Sequence, residues 1–137
     1  MEFTVHPRLA AGGFEIARIG ACRVLLKNNA WFPWMIVVPE VLGGDAVEDL
    51  HQLPEARYLE VMGVIRKVSE FVSMHFKPEK LNVACIGNQV RQMHVQIVGR
   101  STGDAAWPGV VWSFDGKQTY TAEQVSQIQA AAGRFFV

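Results

Sequence analysis

The chain has 137 residues, half of them apolar, enough for one domain with a substantial core and too few for two. Lys plus Arg and Asp plus Glu are equal at 13 each. No net field therefore draws the chain to nucleic acid or to an anionic membrane, and the anions left as candidate ligands are small ones that need only local donors.

The first residues, Met1-Glu2-Phe3-Thr4-Val5-His6-Pro7, carry no basic stretch followed by an apolar run. No secretory signal is expected, and the expected location is cytoplasmic. Strands are expected at 22–26 and 35–38, both rich in Val, Ile and Leu, with Asn28-Asn29 as the turn signal between them. The most apolar stretch, residues 30–38, is broken by Pro33 and is far shorter than the ~20 residues of a membrane span. Pro39 and Gly43-Gly44 close this unit, and Asp45, Glu48 and Asp49 lead to Leu53-Pro54-Glu55, a helix start with proline in the first turn and an acid at the positive end of the dipole.

Tyr58, Val61, Met62, Ile65, Val68 and Val72 then recur at steps of three and four, predicting a long amphipathic helix to about Phe76. Lys77-Pro78 ends it, because proline disfavours helical geometry in the residue before it. Further strands are expected at 81–86 and 91–99, around the turn-prone Gly87-Asn88-Gln89. After a looser segment at 100–116, Thr121-Ala122-Glu123-Gln124 fits a capping box, opening a short helix to about Ala132 with Gly133 as its stop. Strands joined by short turns and interrupted by one long helix indicate an α+β domain with a mainly antiparallel sheet. Cys22 and Cys85, each in an apolar stretch and without Cys-x-x-Cys spacing, read as buried free thiols.

In the 91–99 strand the period of two separates Met93, Val95 and Ile97 from Gln92, His94 and Gln96. Same-face neighbours lie about 7 Å apart, a span that suits one phosphoryl group. A half-solvated antiparallel strand shows the same alternation without any function. Glutamine is a poor metal ligand and no second strong ligand has a recognisable spacing, so neither a metal nor another cofactor is expected. His6, His51 and His75 read as incidental surface residues.

The run Asn82-Val83-Ala84-Cys85-Ile86-Gly87-Asn88-Gln89-Val90-Arg91-Gln92-Met93-His94-Val95-Gln96-Ile97-Val98 resembles the signature of the histidine-triad (HIT) superfamily, in which three histidines alternate with apolar residues. His94 matches the middle histidine; Gln92 and Gln96 occupy the outer positions. The stretches 34–39 and 54–76 and the pair Trp107-Pro108 extend the resemblance over about 14–113. It implies a sheet of about five strands, a homodimer, and a nucleotide hydrolase or nucleotidyl transferase whose middle histidine attacks the α-phosphorus to form a covalent nucleotidyl-histidine. A neutral imidazole suits that role.

The resemblance also implies phosphate contacts from Gln92, Gln96, Asn88 and Gln89, and nucleoside contacts from Asn28 and Trp34. Asn82 would order the strand beside the nucleophile. Trp107 and Trp112 would cover the site or meet a second subunit. Plain readings stand beside these: a hairpin turn for Gly87-Asn88, a core position for Trp34, and a helix-to-strand turn for Asn82. Gln96 departs from the hydrolase pattern, since an amide stabilises charge but cannot donate a proton as an imidazolium does. The galactose-1-phosphate uridylyltransferase branch of the superfamily also has glutamine there, although this chain is much shorter and lacks an obvious zinc pattern. A nucleotide-binding module with little or no catalysis is the alternative that Gln96 keeps open.

Overall fold

The structure, a computed structural model, describes residues 2–41 and 47–137. Pro7 and a backbone N–H of Arg8 capped by His6 Nδ1 start a short helix, α1 (Pro7–Ala11), so His6 is a helix cap and not an incidental residue. Three strands follow as an antiparallel meander: β1 (Gly13–Ile19), β2 (Cys22–Lys27) and β3 (Trp34–Pro39). The long helix α2 (Glu55–Phe76) precedes β4 (Lys80–Ala84), β5 (Val95–Arg100) and the C-terminal helix α3 (Ala122–Phe135). The sheet order is β1-β2-β3-β5-β4, with every neighbouring pair antiparallel. The domain is α+β, as expected, with five strands. Gly43-Gly44, expected to close the β2–β3 unit, and Asp45, expected in the acidic stretch that leads to the long helix, lie outside the described residues.

Both faces of the sheet are covered, which explains why β3 is apolar at every position and buried throughout. Val24, Met35, Val37, Val95 and Ile97 meet Val61, Val68, Phe71 and Val72 of α2 and Ile128 of α3. Trp34, Ile36, Val38 and Val98 face the other way, into a second cluster with Leu9, Phe32, Val90 and Val111. Tyr58, expected in the α2 stripe, is exposed; Val64 and Phe71 complete the buried face instead. No helix among the described residues is long and apolar enough to cross a membrane.

Two helix ends show local and tertiary signals in competition. Lys77 ends α2 in the left-handed region (φ 53°), with its N–H on Ser73 O, directly before Pro78. The capping box of α3 forms as expected: Thr121 Oγ1 accepts from Gln124 N at 3.1 Å and Gln124 Oε1 accepts from Thr121 N at 2.9 Å. Gly133, however, does not stop α3. The helix runs on to Phe135, and Phe135 and Phe136 both pack on Phe71 of α2. Burial of two aromatic rings outweighs the ~1 kcal/mol preference against a helical glycine.

The end of β5 is pinned by a buried ion pair. Arg100, 2 % exposed, donates through Nε and Nη2 to the two oxygens of Asp104 at 2.9 and 3.0 Å and through Nη1 to Asn82 Oδ1 at 2.9 Å. Its guanidinium lies over the rings of Phe32 and Trp107. Asp104 also accepts from the backbone N–H groups of Ser101 and Ala106, so the turn after β5 closes around it. Arg100 is the chief reason that the Asp104 carboxyl is held at about 2 rather than 3.8.

A depressed folded pKa contributes stability that is complete above the unfolded value and lost as the pH falls through the folded one. For Asp104 that window runs from about 4 down to about 2, and the contribution is on the order of 2 kcal/mol. Asp104→Asn leaves Arg100 buried beside a neutral partner and is expected to lower stability by about 3 kcal/mol at pH 7. Urea unfolding checks this: the gap between the variant and the parent chain should shrink as the pH falls from 4 to 2.

Candidate active site

The chemistry-bearing stretch is a loop that becomes a strand. Gln96 lies in β5 opposite Ile36 of β3, on the sheet face that also carries Trp34. His94 and Gln92, expected in the same strand, precede it; the strand expected at 91–99 is Val95–Arg100, and that expected at 81–86 is Lys80–Ala84. The cause lies in the hydrogen bonds of this segment. His94 Nδ1 meets the backbone O of Gln92 at 2.8 Å, so that carbonyl serves the imidazole two residues ahead.

A carbonyl only accepts, so Nδ1 carries the proton and Nε2 holds the lone pair of the neutral ring. His94 is 6 % exposed and lines a cavity of about 470 Å3, a size suited to a small organic ligand. The acceptor that sets the tautomer, which the sequence left open, is thus the Gln92 main chain.

Gln96, Asn88, Gln89 and Trp34 line the same cavity as His94. Gly87 before them has φ 64°, a conformation that glycine adopts freely and that turns the loop toward the cavity. Gln92, Asn28 and Asn82 are not among the lining residues. Gln92 engages both ends of its amide with the N-terminal segment, accepting from His6 N at 2.7 Å and donating to Thr4 O at 2.9 Å. It is thus a clamp on the chain that leads into α1, and it does not line the cavity where a phosphate contact was expected of it.

Asn28 Oδ1 accepts from Tyr120 N at 2.9 Å, tying the turn after β2 to the chain before α3. Asn82 supports β5 through Arg100, six residues and roughly 20 Å of strand beyond His94. Of the two tryptophans expected near the site, Trp112 lines the cavity and stands edge-on to Trp34, whereas Trp107 packs on Arg100.

Trp34 Nε1 donates to Gln96 Oε1 at 2.9 Å. Arg8 Nη2 donates to Gln89 Oε1 at 3.3 Å. Indole and guanidinium are donors only, so each engages a glutamine oxygen and leaves the amide NH2 for a ligand. Arg8 and Lys27, both lining the cavity, were missed in the sequence. Arg8 is brought in by α1 from far away in the chain, and a lone lysine at a strand end reads as a solvated terminus. Lys27 Nζ lies 4.9 Å from the Trp34 ring centroid. Burial, then repulsion from Lys117, lowers its pKa.

No carboxylate lines the cavity among the described residues, which makes its electrostatics suited to an anion. No group of three or more His, Cys, Asp and Glu among them is arranged to hold a metal ion. Burial pushes the Cys22 thiol up to about 11 and raises that of Cys85, as inert free thiols require.

Residues 14–103 match the HIT domain family. No curated protein matches the chain. Among solved structures it is similar to a histidine triad protein from Bradyrhizobium japonicum, at 32% identity over 98% of each chain with a TM-score of 0.92. A histidine triad protein from Sinorhizobium meliloti is 30% identical over 96% of each chain, with a TM-score of 0.90. One from Marinobacter aquaeolei is 34% identical over 98% of this chain and 96% of its own, with a TM-score of 0.90. With its sheet, its loop-borne histidine and these likenesses, the chain belongs to the HIT domain family, whose members are generally nucleotide-binding hydrolases and transferases.

Proposed function

We propose that the protein is a nucleotide hydrolase or nucleotidyl transferase acting at the α-phosphate through a covalent intermediate on His94. The observation that carries this reading is the His94 Nδ1 to Gln92 O hydrogen bond, on a ring that lines an anion-suited cavity. It leaves Nε2 as the nucleophile without any change of tautomer during attack. The NH2 groups of Gln96 and Gln89 and the side chain of Asn88 supply donors for non-bridging phosphate oxygens. Trp34 and Trp112 offer apolar wall for a nucleoside. Attack by a neutral imidazole requires no metal and no other cofactor. The proposal includes a homodimer, as members of the family often are.

Incubation with a nucleotide labelled at the α-phosphate, followed by denaturation, should trap an acid-labile adduct on the protein. His94→Ala should abolish the adduct and lower turnover by a factor on the order of 10³ or more. Full turnover by that variant would contradict the assignment.

One observation favours a second reading, a nucleotide-binding module with weak or no catalysis: an amide stands at position 96, where an imidazole would bring a transferable proton. Both readings predict that a nucleoside monophosphate at about 100 times its Kd stabilises the fold by about 2.7 kcal/mol in denaturant or thermal unfolding. Binding with no adduct and no product after long incubation would select the module.

A further inference from the structure

Lys27 ends β2 two residues after Leu25, on the sheet face that carries Trp34 and Ile36, and its side chain lines the cavity with His94 and Gln96. The backbone there is fixed: Lys27 pairs with Gly13 of β1, and its carbonyl accepts from Asn29 N at 2.7 Å. β2 and β5 lie on either side of β3, about 10 Å apart. Between them the Trp34 ring meets both side chains, with Lys27 Nζ over its face and Gln96 Oε1 at its N–H edge. The ammonium and the Gln96 amide thus share one wall of the cavity that His94 lines.

The charged and titratable groups about Lys27 are Lys117 from the segment before α3, Arg8 from α1 and His94 from the loop before β5. No carboxylate among the described residues holds its charge. Burial, then repulsion from Lys117, makes the ammonium release its proton more readily than a solvated lysine does. The other donors at the cavity keep theirs. Amides and the Arg8 guanidinium do not ionise near neutral pH, and the Ser113 hydroxyl is too weak an acid to lose a proton alone.

We infer that Lys27 is a catalytic residue that gives a proton to the leaving group as it departs from the phosphorus, the task for which the Gln96 amide has no proton. The inference rests on the proposed attack by His94. In that step Nε2 forms a bond to the α-phosphorus while the bond from phosphorus to the leaving atom breaks. The electron pair of that bond goes to the leaving atom, which takes the proton from Lys27 Nζ and leaves the amine neutral. Water then attacks the phosphorus. Its oxygen stays on the nucleoside monophosphate, its proton returns to the amine, and the pair bonding phosphorus to Nε2 returns to the imidazole.

The test uses the intact protein and two esters of one nucleoside 5′-phosphate. The 4-nitrophenyl ester releases an anion that needs no proton, whereas the phenyl ester releases one whose acid has a pKa of about 10. Lys27→Met should lower kcat/KM for the phenyl ester at least about 100-fold more than for the nitrophenyl ester, the contribution of a general acid. Lys27→Arg keeps the charge but holds its protons, so it should show the same differential loss. A general acid acts only while protonated. In the parent protein kcat/KM for the phenyl ester should therefore fall as the pH rises through a midpoint below 10.5, and Lys27→Met should lack that limb.

Equal losses for the two esters, rescue of the phenyl ester by arginine, or an unchanged alkaline limb in Lys27→Met each overturn the inference. If the nitrophenyl ester still labels His94 in any of these cases, the nucleotidyl-transfer reading stands without it. If neither ester labels His94 in the parent protein, that reading falls and this inference falls with it.

Discussion

A single hydrogen bond, from the imidazole of His94 to the carbonyl of Gln92, organises the site. It fixes which ring nitrogen carries the proton and turns the chain before β5. The same residue that supplies the carbonyl uses its side-chain amide to hold Thr4 and His6, and so places α1 with Arg8 and Leu9 at the cavity wall. Orientation of the imidazole and closure of one wall thus meet in Gln92. The first position of the motif contributes through its backbone and its grip on the N-terminal segment, in keeping with an amide whose donor and acceptor ends are both occupied.

Around this bond the polar groups of the cavity are arranged by their partners. The Gln96 and Gln89 oxygens are engaged by groups that can only donate, and their NH2 ends remain. Preorganised donors of this kind stabilise developing negative charge without reorganising during reaction. The rest of the fold supplies rigidity. Both sheet faces are packed, and the far end of β5 is locked by Arg100 between Asp104 and Asn82, so the strand that carries Gln96 is held along its length.

Where local chemistry and burial agree, the sequence was readable. The α2 periodicity, the Lys77-Pro78 stop, the Thr121 capping box and the β2–β3 pair all follow from nearest neighbours and a covered face. Where tertiary contacts decide, it was not. β1 escaped because a register shift between Glu15 and Ala17 breaks its alternation. Gly133 was overruled by Phe135 and Phe136. The site divides on the same line. His94, Gln96, Asn88, Gln89 and Trp34 converge on one cavity, and all but Trp34 come from a contiguous stretch that reads as a motif. Gln92 and Asn28 were expected there, but each is committed to a contact with a distant segment that no local pattern records; Asn82, expected to order the strand beside the nucleophile, holds the far end of β5 through Arg100. Arg8 and Lys27 reach the cavity by the fold alone.

The central claim is that His94 is a prepared nucleophile whose Nε2 faces phosphorus. A crystal structure of the protein with a nucleoside monophosphate bound tests this most directly. The account predicts Nε2 about 3–3.5 Å from the phosphorus, Nδ1 still on the Gln92 carbonyl, and the Gln96 NH2 within hydrogen-bond reach of a phosphate oxygen. A phosphate bound elsewhere, or an imidazole that has left the Gln92 carbonyl to meet it, would contradict the account.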